Sequence, residues 1–157
     1  MGKTGFGLEF PPEKTARALA HELHISPKHA VEICSELKHK RLESAKTLLE
    51  DVAALRKAIP MRRYNHDVPH QPGTGPGRYP KRAATELLKL LKDAESNAEY
   101  RGLDTERLVV AHMAARRGRV IRGSTPRAYG RFSAKNVETV TVEVILRETG
   151  DGSSEDE

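Results

Sequence analysis

Thirty consecutive residues, 108–137, hold six arginines, one lysine and no carboxylate. The cations are Arg116, Arg117, Arg119, Arg122, Arg127, Arg131 and Lys135. Charged residues make up 31% of the chain, so an ordinary solvated stretch of this length would mix signs. The choice of arginine narrows the chemistry further. A guanidinium offers five donors in a rigid fork that grips phosphate through paired bonds and stacks on flat rings. Placed on two antiparallel strands, these side chains project along a narrow ribbon with phosphate ligands on both sides. Such a ribbon has almost no apolar side chains to fold onto a core, which points to insertion into structured RNA.

A second basic tract covers residues 56–82, RKAIPMRRYNHDVPHQPGTGPGRYPKR. It carries five prolines, three glycines and seven bases against the single acid Asp67. It shows no hydrophobic period, and a segment of this length within a compact domain is either functional or unstructured. We read it as a loop ordered by contact with phosphate, with Arg62, Arg63, Arg78, Lys81 and Arg82 as ligands. RNA is favoured over DNA because folded RNA is recognised by shape and phosphate geometry, and none of the usual DNA-reading modules is visible. A solvated charge run is the bland alternative; the missing acids and the presence of two tracts weigh against it.

Other chemistry-bearing groups carry less. His21 and His24, or His66 and His70, have no nearby third ligand, so no metal is expected. Gly73-Thr74-Gly75-Pro76-Gly77 follows no strand and lacks the Lys-Ser/Thr of a phosphate loop, so it reads as a turn. Cys34 falls on an apolar helix face, as a core thiol does. Glu95 and Glu99 sit one turn apart on a polar face, with no pocket implied. No catalytic constellation or cofactor site emerges, and the chain is not expected to be an enzyme.

Composition bounds the rest. The 157 residues suit one domain. The net charge of +5 rises to +9 once the last eight residues, with their four acids, are set aside. That favours an anionic partner, nucleic acid first and a membrane surface second. Seven aromatics without tryptophan speak against a stacking platform for single strands. One cysteine excludes an internal disulfide framework. The apolar runs fall far short of a membrane span, and no signal-peptide core follows Phe6. A cytoplasmic location is expected.

Several elements must position these groups. Residues 15–25 alternate as a strand does, although Leu19 and Leu23 would equally suit a helix. Ser26-Pro27 starts a helix with a capping hydroxyl and proline in its first turn; Ala30, Ile33, Cys34 and Leu37 make its apolar face. After a basic break at Lys38-His39-Lys40-Arg41, Leu42, Ala45, Leu48, Leu49, Val52 and Leu55 face inward on a second helix, which Pro60 ends. Tyr79-Pro80 opens a third, with Ala84, Leu87, Leu88, Leu91, Ala94 and Ala98 as its stripe and Gly102 as its stop. Residues 107–115 and 137–147 then switch to strand period, the latter with Val140, Val142, Val144 and Leu146 on one face. Residues 1–149 are read as one domain and 150–157 as an acidic, disordered tail.

Taken in order, these stretches resemble the large-subunit ribosomal protein of family twenty-two, in its archaeal and eukaryotic branch. The resemblance rests on Ile25-Ser26-Pro27-Lys28-His29-Ala30, Pro60-Met61-Arg62-Arg63-Tyr64-Asn65 and Gly77-Arg78-Tyr79-Pro80-Lys81. It continues through Asp93-Ala94-Glu95-Ser96-Asn97-Ala98-Glu99, Gly102-Leu103-Asp104 and Pro126-Arg127-Ala128-Tyr129-Gly130-Arg131. It implies an α+β fold: three helices packed on a small three-stranded antiparallel sheet, with a long protruding β-hairpin and residues 15–23 as the first strand. It also implies a structural, RNA-binding role in the large subunit, with ribosomal RNA, neighbouring ribosomal proteins and the nascent polypeptide as partners. The hairpin tip, lining the peptide exit tunnel, is then expected at Arg119, Val120, Ile121, Arg122, Gly123, Ser124 and Thr125, with residues 126–131 on the returning strand. The insert at 62–78 marks the branch. A DNA-compacting basic protein and an RNA-modifying enzyme are the competing readings.

Overall fold

The computed structural model describes residue 11 and residues 14–149; the acidic tail at 150–157 lies outside the described residues. Three helices and a three-stranded antiparallel sheet form the body, and the sheet runs out into a long hairpin. Strand β1 (Thr15–Leu23) and strand β5 (Leu108–Ile121) flank the central β8 (Val137–Glu148). Alternation at residues 15–23 is thus strand period. Ala16 and Ala18 are buried, and the pairing runs from Thr15 opposite Arg147 to Leu23 opposite Val140.

The helices cover one face of this sheet. Helix α1 (Pro27–Leu37) lies on β5, α3 (Lys81–Tyr100) lies on β1, and α2 (Leu42–Ala53) packs against α3. The core between them holds Ile33, Leu37, Leu49, Leu87, Leu91, Met113, Val142 and Leu146, all essentially inaccessible. Removing any of the large ones would cost about 2–5 kcal/mol in transfer and cavity terms. Two side chains of α3 stitch it to β1: Asn97 Nδ2 donates to the Arg17 carbonyl at 3.0 Å and Arg101 Nη1 to the Thr15 carbonyl at 2.7 Å. The basic break at 38–41 runs along the edge of β5, where the His39 amide donates to the Val110 carbonyl at 2.8 Å.

Local departures from the sequence expectation have identifiable causes. Ser26 is extended, as an N-cap should be, but its hydroxyl makes no cap bond; its carbonyl accepts from Ala30 instead. Helix α2 ends at Ala53, well before Pro60, because Leu55 enters the left-handed region at φ 62°. Leu55 is therefore 56% exposed rather than inward. On α3, Leu90 is buried and Leu88 only partly so, which rotates the stripe slightly. Glu95 is paired with Lys46 of α2 rather than left in solvent.

The largest departure is the tract at 56–82. It forms its own small sheet, in which β4 (Gly75–Arg78) lies between β2 (Ile59–Pro60) and β3 (His70–Gln71). Ala58, Ile59, Met61 and Val68 are buried, and three of these four join the main core. The segment is held by contacts within the protein.

Candidate nucleic-acid interface

The hairpin is built by β5 and β8, paired from Leu108 opposite Glu148 out to Ile121 opposite Val137. Beyond them β6 (Ser124–Pro126) pairs with β7 (Phe132–Ala134). The chain reverses at Ala128–Gly130, where Tyr129 and Gly130 take φ 57° and 65°. The turn therefore lies beyond Arg119–Thr125, which sits on the outgoing limb. Pro126 pairs with Phe132, so residues 126–131 form the reversal and not a returning strand. Halfway along, Gly118 admits the opposite strand so closely that a Cβ would stand 2.6 Å from Thr139 Oγ1. That hydroxyl donates to the Arg119 carbonyl at 2.7 Å, across an irregularity in the pairing.

Charge is graded along this hairpin. Near the body each arginine faces a carboxylate. Arg116 Nη2 lies 3.0 Å from Glu143 Oε1, which also receives His112 Nε2 at 3.1 Å. Arg117 lies 3.6 Å from Glu138, and Arg119 lies 3.7 Å from Glu22 of β1. A window without acids in sequence is thus supplied with them in space by the two neighbouring strands. Beyond Ile121 this ends: among the described residues Arg122, Arg127, Arg131 and Lys135 have no carboxylate partner. Arg127 Nε donates to Ser133 Oγ at 2.7 Å, which aligns its fork without neutralising it. Tyr129 and Phe132 stand 95% and 72% exposed beside these cations. Exposed rings beside guanidinium groups are what unpaired bases stack on.

The second tract is organised around a buried acid. Glu32 of α1 is 4% exposed, and its carboxylate accepts three backbone amides, from Arg62 at 3.3 Å, Arg63 at 2.8 Å and Tyr64 at 3.3 Å. Charge-assisted bonds of this kind fix the turn and spend the carboxylate on the backbone. The Arg62 side chain turns back to Glu36 at 3.1 Å. Arg63 and Arg78 instead wall a cavity of about 190 Å³ together with Lys28, His29, Tyr64 and His66. Burial, and secondarily the Arg78 charge, hold His29 below the usual imidazole value. A smaller cavity of about 50 Å³ joins Lys28 and Tyr64 to Arg116 and Arg117 at the root of the hairpin. Lys28 and Tyr64 thus connect the two basic tracts into one face. Lys81 and Arg82 are exposed on the first turn of α3.

Lys28, His29 and Tyr64 were not among the candidate ligands read from sequence, and His66 was weighed there only as half of a histidine pair. The available signal was the basic-aromatic triplet Arg62-Arg63-Tyr64 in an acid-poor stretch. Cys34 lies buried in the core with its thiol pushed up to about 12 by that burial, which keeps it protonated. Among the described residues no helix is long and apolar enough to cross a membrane.

Residues 18–147 match the family model described as ribosomal protein L22p/L17e. The chain belongs to this family. Its relatives include the large ribosomal subunit protein uL22 of Methanocella arvoryzae, 48% identical over 151 residues that cover 94% of this chain and 99% of the relative. The uL22 of Methanococcoides burtonii is 48% identical over 94% of this chain and 99% of its own length. That of Methanopyrus kandleri is 49% identical over 89% and 91%. These are archaeal proteins, in accord with the branch inferred from the residues. Members of this family are structural components of the cytoplasmic large ribosomal subunit and are not enzymes.

Proposed function

We propose that the chain binds large-subunit ribosomal RNA, holds RNA domains together during assembly, and contributes its distal hairpin to the wall of the nascent-peptide exit tunnel. The observation that carries this reading is the charge gradient of the hairpin. Its arginines are matched by carboxylates at the root and unmatched from Arg122 outward. A surface that neutralises its cations where they meet protein and leaves them bare further out suits a phosphate lining around the outer part. Arg122, Arg127, Arg131 and Lys135 are the distal ligands in this reading. Arg116, Arg117 and Arg119 serve the root, and Arg62, Arg63, Arg78, Lys81 and Arg82 serve the second tract. Residues 119–125 would reach the tunnel wall together with the turn that follows them, which brings the nascent polypeptide within contact. Residues 1–149 act as one ribosomal-protein domain, with neighbouring ribosomal proteins against the body.

Sedimentation of a gently lysed extract at low and high salt tests the reading. Comigration with the large subunit, one copy per particle and resistant to moderate salt, is the expected result. Photo-crosslinkers at Ile121 and at Tyr129 should then capture ribosomal RNA, and in translating particles the nascent chain. A chain that stays at the top of the gradient or follows DNA would overturn the proposal.

A further inference from the structure

The cavity between α1 and the second basic tract is organised differently from a simple phosphate-binding patch. Its walls carry Lys28, Arg63 and Arg78 as cations, His29 and His66 as imidazoles, and the ring of Tyr64. No carboxylate lines it, because the nearby Glu32 is spent on the backbone amides of residues 62–64. Lys28 Nζ stands 5.5 Å and Arg63 Cζ 5.8 Å from the centroid of the Tyr64 ring. Both cations are therefore within range of the ring's π-system.

We infer that this cavity receives a single unpaired nucleotide of RNA, its base stacked against Tyr64 or the Arg63 guanidinium and its phosphate held by Lys28 and Arg78. The inference rests on the RNA-binding reading above and deepens it by naming a site and a ligand class. Size limits the occupant to a small group. About 190 Å³ lies below the roughly 300–1,000 Å³ that drug-sized ligands fill. Chemistry favours a nucleotide over bare phosphate, since an anion alone needs cations but no ring. It favours an unpaired residue over a duplex, whose bases are stacked on one another and whose grooves offer edges rather than faces. His29, kept neutral by burial, presents a ring nitrogen that can serve a base edge as acceptor or donor. The smaller cavity leading past Tyr64 to Arg116 and Arg117 gives the adjoining backbone a continuous basic path to the hairpin root.

The test uses the full chain and two RNA hairpins, identical except that one carries a single bulged 2-aminopurine. The wild type should prefer the bulged RNA, with the fluorescence of the bulged base quenched on stacking. Tyr64→Ala should weaken bulged-RNA binding about 5- to 150-fold and abolish the quench, the range for losing one base–aromatic stack. Tyr64→Phe should retain both. Lys28→Glu, on the exposed surface of α1 and remote from the core, should remove the preference without disturbing the fold. Paired-RNA binding should fall less than bulged-RNA binding in Tyr64→Ala. Equal affinity for the two RNAs with an unquenched base, or a Tyr64→Ala variant that behaves as wild type, overturns the nucleotide site and leaves RNA binding standing. Failure of the wild type to bind either RNA overturns both.

Discussion

Arg62 and Arg63 ride on a turn whose amides are tied to Glu32 inside the body, whereas Arg122, Arg127 and Arg131 ride on a ribbon held by its own strand pairing. Both regions are basic, and both read alike in sequence as acid-poor stretches. Their physics differs. In the first, one buried carboxylate sets the backbone, Glu36 restrains one guanidinium, and Arg63 and Arg78 close around a cavity. In the second, carboxylates stop at Glu138 on the return strand and the cations beyond are uncompensated. The comparison separates two ways to present positive charge. A preorganised site spends protein stability to fix a small geometry, while an open ribbon leaves its charge to be satisfied by the partner.

The largest effect should come from breaking the first arrangement at its anchor. Glu32→Ala leaves three backbone donors short of an acceptor in a part-buried place, and unmet charged hydrogen bonds of this kind cost about 2–4 kcal/mol in total. Urea unfolding should report that loss, and amide exchange should accelerate at residues 62–64 while the hairpin is unaffected. Glu32→Gln keeps the shape and one acceptor oxygen and should lose less. If Glu32→Ala unfolds at the wild-type urea midpoint, the turn is held by something else and the contrast collapses.

The reverse experiment strips the second region. Replacing Arg122, Arg127 and Arg131 together by Ala should leave stability within about 0.5 kcal/mol, since these exposed residues face no carboxylate and the bond from Arg127 to Ser133 lies at the surface. RNA affinity should nevertheless fall. Each lost phosphate contact removes roughly 0.7–0.9 from the slope of log affinity against log salt, so the triple variant should show a slope flatter by about 2–3. The matching substitution at the root, Arg116, Arg117 and Arg119 together to Ala, should flatten it less, because each of these already answers a carboxylate. Equal slopes for root and distal variants would show that the charge gradient has no bearing on RNA.

These differences mark where the sequence was informative. Helix α3 and strand β8 were legible because their apolar residues recur with a clean period, and that period is imposed by one continuous core. The small sheet at 56–82 was not, because β2 and β4 are built from Ile59, Pro60 and glycine-rich residues whose pairing has no side-chain period. Glu32 gave no sign of its role, since its partners are amides thirty residues away that carry no side-chain signature. The position of the turn was misjudged for a related reason. The resemblance placed the tip at Arg119–Thr125, yet there the Lys135 amide donates to the Gly123 carbonyl at 2.8 Å and the ribbon continues. The true reversal uses Tyr129 in the left-handed region, a conformation that residue type seldom announces. The arginine content of the site was visible throughout; its division into matched and unmatched charge needed the strand register.

The smallest effect is also the most selective. His29 is held below the ordinary value of 6.5 by burial and by Arg78, and it shares its cavity with Lys28, Arg63, Tyr64, His66 and Arg78. Around pH 6.5 the unfolded chain binds a proton at this position that the folded chain refuses, so stability should rise with pH through that range and fall on acidification. His29→Gln should flatten that slope, and urea midpoints measured on either side of neutrality would resolve the difference. Bound RNA should change this response, since a base filling the cavity buries the imidazole further while a phosphate near Arg78 offsets the charge that disfavours the imidazolium, so affinity at this cavity should depend on pH through His29. The distal ribbon has no such response, because residues 113–137 contain no histidine and a guanidinium does not titrate. A pH-dependent affinity that vanishes in His29→Gln but persists in the distal triple variant would therefore assign the two contributions to the two regions.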